Sequence, residues 1–179
     1  MVIDSEKIYA KANELVKRCG TRDTLRIARE TGIEVRERED FDRLLGMYVC
    51  RWKHRYIFLN GRMDPYTQQL VCGHEIGHDV LHRALAGQDT FHEFVLFNMK
   101  DETEYEANAL AAHLLIDDRE LMRCLKSGMD TVQTARSLNT HINLLLVKLA
   151  EMNRLGEHFE LPYTPPADFL GRLDRPDAQ

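Results

Sequence analysis

Residues 65 to about 85 read as one helix carrying His74-Glu75-Ile76-Gly77-His78, and no other stretch restricts the fold as strongly. Asp64 followed by Pro65 is a sharp start, with aspartate at the N-cap and proline at the first helical position. Gly87 is the natural stop. Residues four apart on a helix project from one face about one turn apart. His74 and His78 can therefore hold one metal ion between them. Glu75 lies roughly 100° round from His74, beside the ion and not on it, where a general base for a water nucleophile belongs. Gly73, Gly77 and Ala84 fall on one narrow stripe. Each interior glycine costs about 1 kcal/mol of helix propensity, and the compensation expected is another element packed close against that stripe.

His82 cannot complete the ligand set. It stands roughly 12 Å of helical rise from His74, whereas a metal–nitrogen bond is about 2 Å. No glycine turn lies between His78 and His82, which the metzincin pattern requires before its third histidine. His82 is read as a helix-end residue favoured by the dipole, or as a hydrogen-bond partner behind the ligands.

The third ligand must come from elsewhere, and residues 101–116 supply it. On a helical wheel Ala107, Leu110, Ala111, Leu114 and Leu115 cluster on one side, with Glu104 and Asn108 on or beside it. A carboxylate on an apolar stripe needs a charge partner or a metal, so Glu104 is the candidate ligand. Asn108, one turn on, is placed to hydrogen-bond a ligand histidine. Glu106 and His113 fall nearly opposite Glu104, so Glu106 is expected to be dispensable for metal binding. Two histidines and a carboxylate in an open site suit zinc, and the same set accepts manganese. His54, Tyr66, His92, Tyr105 and His141 are open candidates for stabilising an oxyanion.

The 179 residues are 44% hydrophobic and 30% charged, an ordinary composition for one globular domain. A net charge of −5 argues against nonspecific nucleic-acid binding as the main role. No apolar run has the length of a membrane span. Met1 to Glu6 shows neither a basic region nor an apolar signal core. Cys19, Cys50, Cys72 and Cys124 are widely spaced and read as reduced thiols of a cytoplasmic protein.

Elsewhere the pattern predicts helices over residues 4–18 and from Thr21 to about Gly32. Strands follow over residues 33–36, 44–51 and 56–60, the last two joined as a hairpin through residues 52–55. This predicts a small, mainly antiparallel sheet in which Trp52 and Tyr56 pack across strands. Phe91, Phe94, Leu96 and Phe97 suggest a short strand beside the cleft. Asp117 and Asp130 read as N-caps of two further helices. Asn139-Thr140 is a break before an apolar helix over residues 142–155. Residues 130–156 thus resemble a helix-turn-helix. With Arg136, Lys148 and Arg154 as the firm positive charges there, packing is favoured over direct DNA binding. Four of the five prolines fall in the tail, residues 157–179, whose Phe159, Leu161, Tyr163, Phe169 and Leu170 are candidates for docking on the domain.

Two motifs carry a family resemblance. His74 to His82 reads H-E-I-G-H-x-x-x-H, and Glu104 to Leu115 reads E-Y-E-A-N-A-L-A-A-H-L-L. Together they resemble the ImmA/IrrE metallopeptidases, whose second motif runs roughly E-x-x-A-N-x-F-A-x-x-L-L-M-P. Glu104, Ala107, Asn108, Ala111, Leu114 and Leu115 match. Leu110 replaces the phenylalanine and Ile116-Asp117 replaces Met-Pro, which affects packing and the helix end. The resemblance implies a gluzincin-like fold and an intracellular, site-specific endopeptidase. Its implied substrate is a helix-turn-helix repressor of a phage, integrative element or stress regulon.

The expectation is an α+β protein. Residues 1–156 form one metallopeptidase domain with a helical zincin-like core, followed by the proline-rich tail. His74, His78 and Glu104 hold zinc, Glu75 is the general base, and Asn108 and His82 support the ligands. The rival reading is a DNA-binding or repressor-binding regulator that uses residues 130–156 and keeps a structural metal without cleavage.

Overall fold

The computed structural model describes residues 3–86 and 102–162. Two helices open the chain. α1 (Ser5–Cys19) is capped by the Asp4 carboxylate, which accepts from the Lys7 N–H, and Gly20 ends it with φ 62°. α2 (Thr24–Glu30) starts later than Thr21, because Asp23 is the residue whose side chain accepts from the Arg26 N–H. Thr24 is buried, and its hydroxyl donates to the Gln69 carbonyl 2.7 Å away.

The sheet is small and mixed. It contains β1 (Glu34–Arg38), β2 (Gly46–Arg51) and β3 (His54–Asn60) in the order β1-β3-β2. The β2–β3 hairpin is antiparallel as expected, and β1 pairs with β3 in parallel. Residues 39–45 carry the chain from β1 to the far side of β3, a choice that alternation within a strand cannot encode. The hairpin turn is two residues, Trp52 and Lys53, both in the left-handed region at φ 49° and 68°, which matches strand twist. Trp52 is consequently 81% exposed at the tip, stacked under the Arg51 guanidinium and not packed across strands. Tyr56 does pack within the sheet, stacked on Phe58 and opposite Val49. Ile57, Leu59 and Tyr48 are buried on the other face of the sheet.

α3 (Pro65–Leu81) lies against that buried face. Asp64 caps it by accepting from the Tyr66 and Thr67 N–H groups. It is shorter than the periodicity suggests: His82 leaves helical geometry and a separate turn, α4 (Arg83–Ala86), follows. The strand suggested around Phe91–Phe97, and His92, lie outside the described residues.

α5 (Glu102–Leu115) packs along α3. A Cβ built on Gly77 would lie 2.6 Å from the Ala107 Cα, and one on Gly73 would lie 3.4 Å from the Ala111 Cβ. Since Gly73 meets Ala111 and Gly77 meets Ala107, the helices run antiparallel with their backbones nearly in contact. The predicted close approach at the glycine stripe is therefore present.

α6 (Asp118–Lys126), α7 (Thr131–Ser137) and α8 (Ile142–Arg154) complete the described fold. Asp117 and Asp130 cap α6 and α7, the latter in a capping box with Gln133. Leu144 to Leu149, Glu151 and Met152 are buried, so α8 is a core helix. Lys148, one of the firm positive charges of the helix-turn-helix-like segment, is 1% exposed; its Nζ lies 2.5 Å from Asp118 and 2.7 Å from the His113 Nδ1. His113 itself is buried, against the expectation of a polar side to α5, because α1 and α8 cover the side that α3 leaves free. Phe159 and Leu161 pack on the core, while Tyr163, Phe169 and Leu170 lie outside the described residues. No described helix is long and apolar enough to cross a membrane. The architecture is α+β with a helical majority.

Two expected outcomes follow from this packing. Gly77→Ala forces a methyl against the Ala107 backbone and should destabilise the metal-free protein by about 1–3 kcal/mol, read by urea denaturation. The second concerns acid. Burial and the Lys148 charge push His113 down to about 3, below its unfolded value of about 6.5. Between those values the unfolded chain binds a proton that the folded chain does not, so stability is lost as pH falls through this window. The thermal midpoint should drop from about pH 7 to about pH 5, and His113→Asn should drop less over the same range. Equal slopes for the two proteins would contradict the assignment.

Candidate metal centre

His74, Glu75 and His78 sit in the second half of α3, and Glu104 and Asn108 in the first half of α5. The antiparallel crossing at Gly77 brings the two sets together. Ligand atoms of His74, His78 and Glu104 all lie within 4.8 Å of one another, and this is the metal-competent cluster among the described residues. The two histidine Nε2 atoms are 3.0 Å apart. Glu104 places one oxygen 3.2 Å from the His74 Nε2 and the other 3.4 Å from the His78 Nε2. Two donors each bonded at about 2.0–2.1 Å to a tetrahedral zinc lie roughly 3.3 Å apart. The separations of neighbouring donor atoms are of the size that such an ion requires.

The rings are oriented from behind. The His74 Nδ1 is 2.9 Å from the Asn108 Oδ1. With the Nδ1 proton donated there, the Nε2 lone pair faces His78 and Glu104. Two imidazole lone pairs and a carboxylate converging in a buried space repel one another unless a cation or a shared proton lies between them. Asn108, one turn after Glu104, is thus in hydrogen-bond contact with His74. His82 has its Nδ1 3.2 Å from the His78 Nδ1 and is not a member of the triangle.

Burial shapes the charges. It pushes His78 down to about 4, which favours the neutral imidazole that metal binding would require. Burial also opposes a charged His74, but the Glu104 and Glu75 carboxylates outweigh it and raise that pKa. Glu104 is held far below the usual carboxylate range, since its bonds to His74 and His78 overcome its own desolvation.

Glu75 is 2% exposed and stands apart from the triangle. Burial pushes its carboxyl up to about 7, and the Tyr48 backbone N–H offers it a hydrogen bond. Its Oε1 is buried without a hydrogen-bond partner among the described residues. Gly46 makes room for it: a Cβ there would come within 3.1 Å of that oxygen and 2.4 Å of Val71. A buried acceptor with nothing to accept from is a place for a water or a substrate N–H.

The comparisons with known proteins bear on this geometry. The family described as the IrrE N-terminal-like domain, peptidase M78, matches residues 28–164. The chain belongs to this family. A relative from Bacillus phage phi105, named uncharacterized immunity region protein 2, is 31% identical over 111 residues, 62% of this chain and 69% of the relative. The family match spans the sheet, α3 and α5, so every residue of the centre falls within it.

Sequence reasoning missed one participant. Glu106, set aside as polar-face, places its Oε2 2.9 Å from the His82 Nε2. Glu106 is not part of the His74–His78–Glu104 cluster, and the wheel omitted the end of α3, which His82 occupies. Of the residues considered for the oxyanion, Tyr66 accepts from the His141 backbone N–H at 2.6 Å, and its hydroxyl lies 3.1 Å from the Thr140 Oγ1. Tyr105 donates to Glu151, His141 caps α8, and His54 lies beside Tyr56 on the sheet.

Zinc-reconstituted protein should carry about one ion per chain, measured by elemental analysis, since one set of three residues that could hold an ion is present among the described residues. Glu104→Ala leaves two protein ligands and should lose most of that zinc on gel filtration. Retention of zinc by Glu104→Ala would require another third ligand.

Proposed function

We propose that this chain is a zinc-dependent endopeptidase that cuts a helix-turn-helix repressor at a defined site and so relieves repression. The observation that carries the reading is the buried triangle of His74, His78 and Glu104, with the Glu75 Oε1 buried beside it and without a hydrogen-bond partner among the described residues. Membership in a peptidase family agrees with it. A relative named for a phage immunity region supports a repressor as the substrate. The four free cysteines suit the cytoplasm, where such a repressor works.

Each residue has a role. His74, His78 and Glu104 hold the ion, and manganese is an acceptable substitute for zinc. When bound, the ion supplies Lewis acidity toward a water and the scissile carbonyl. Glu75 accepts the water's proton and hands it to the leaving amine, so the amide bond breaks with a carboxylic acid and an amine as products. Its burial keeps the carboxyl near neutrality, suited to both acceptance and release. Asn108 holds the His74 ring. The burial of α8 supports a packing role for the helix-turn-helix-like end over direct contact with DNA.

The test pairs purified zinc-loaded protein with the repressor encoded beside its gene and weighs the products by mass spectrometry. Two fragments from a single cut are expected. Glu75→Gln should keep the zinc and the fold yet lose cleavage by roughly 10²–10⁴-fold, because an amide cannot take the proton. An intact repressor bound by fully zinc-loaded protein, or tight sequence-specific DNA binding without proteolysis, would replace the peptidase reading with a regulatory one.

A further inference from the structure

The two ligand histidines are supported in different ways. Behind His74 stands a neutral amide, Asn108. Behind His78 stands a chain of two side chains, His82 and then Glu106. The rings of His78 and His82 have centroids 5.4 Å apart and are inclined at 52°. His82 follows the last residue of α3, where its N–H still donates to the His78 carbonyl at 2.9 Å. Its side chain is 9% exposed and that of Glu106 21%, so both are largely shielded from water.

The hydrogen-bond polarity of this chain has one consistent solution once the ligand atom is fixed. His78 faces Glu104 and His74 through Nε2, so its ring proton is on Nδ1. That proton is donated to the His82 Nδ1, 3.2 Å away, which must then be an acceptor. The proton of His82 is therefore on Nε2, and it is donated to the Glu106 carboxylate at 2.9 Å. Every donor meets an acceptor and every ring is neutral. Reversing any one bond leaves two lone pairs or two protons facing each other.

We propose that His82 and Glu106 are positioning residues for the metal centre: Glu106 fixes the tautomer of His82, and His82 fixes the tautomer and orientation of His78. The inference rests on the metal-centre reading above and assigns work to Glu106 that the helix periodicity denied it. Glu104 and Glu106 are two residues apart, roughly 200° round a helix. They therefore meet α3 at different places, Glu104 at the paired ligands and Glu106 beyond the helix end. Carboxylate–histidine support of this kind typically changes metal affinity by about 10–100-fold.

The test is zinc affinity measured by competition with a chromophoric chelator, on wild type, Glu106→Ala, Glu106→Gln and His82→Ala. Melting of the metal-free proteins is recorded alongside. Glu106→Ala and His82→Ala should bind zinc about 10–100-fold more weakly than wild type. Glu106→Gln should recover part of the loss, because its side-chain carbonyl can still accept from the His82 Nε2. The cobalt-substituted variants should show a shifted visible spectrum, which a loss of stability alone does not produce. If His82→Ala fails to fold, the two Glu106 variants decide. Zinc affinities within about threefold of wild type for Glu106→Ala, or no recovery with Glu106→Gln, overturn the relay. A wild-type protein that binds no zinc overturns the metal-centre reading itself, so the two failures are distinct.

Discussion

Gly77 lets the backbones of α3 and α5 touch, and the position of every side chain in the centre depends on that contact. A Cβ at residue 77 would stand 2.6 Å from the Ala107 Cα. Imidazole is a short ligand arm: with the helices a methyl group further apart, Glu104 could not span to both histidine Nε2 atoms. Two interior glycines in a helix that needs rigidity carry about 1 kcal/mol each in lost propensity. The close-packed crossing offsets this through dispersion along two helix backbones and sets the separation of the donor atoms. α5 is buried from Ala107 to Leu114, with α3 on one side and α1 and α8 on the other, so this helix is itself core.

Around that crossing the molecule buries far more charge than its composition suggests, and each charge is engaged. Asp79, one residue after His78, is 2% exposed; its carboxylate receives the Tyr48 hydroxyl at 2.6 Å, Arg55 at 2.9 Å and Arg83 at 2.7 Å. That cluster fastens α3 to both strands of the hairpin. On the far side of α5, Lys148, Asp118, His113 and Tyr9 form a second cluster that links α1, α6 and α8. Removing one member of such a set strands its partners in a low-dielectric interior, which is more damaging than the set is stabilising. Among the described residues a few buried polar atoms lack a hydrogen-bond partner, and these include the Glu75 Oε1 beside the His74–His78–Glu104 triangle and the Glu151 Oε2.

A helix end lies beside the candidate metal centre. α3 stops at Leu81, and His82 departs from helical geometry. A histidine one turn after a ligand would otherwise continue up the helix face. At the end of the helix it stays bonded to His78 while reaching Glu106 on α5. The two helices are thereby joined twice near the centre, through Glu104 at the ligands and through Glu106 behind them.

Much of this was legible in the chain because local geometry is rigid. Four-residue spacing on a helix places His74 and His78 together whatever surrounds them, and the same rule excludes His82 as a ligand. An acidic residue on the apolar side of a helix identifies Glu104, and Asn108 follows one turn later. Aspartate caps at residues 4, 64, 117 and 130 mark helix starts, because a side chain satisfies the first N–H groups locally. Other features were decided only when elements packed. The parallel pairing of β1 with β3 depends on where residues 39–45 cross, and no strand carries that information in its own alternation. His113 and Lys148 are polar by type and buried in fact, because two helices cover the side of α5 that a wheel leaves to solvent. Glu106 became a neighbour of the metal centre because α3 ends at His82. Sequence periodicity fixes directions about one helix axis; contact between two axes depends on where each helix ends and how closely it is crossed, and those are properties of the tertiary structure alone.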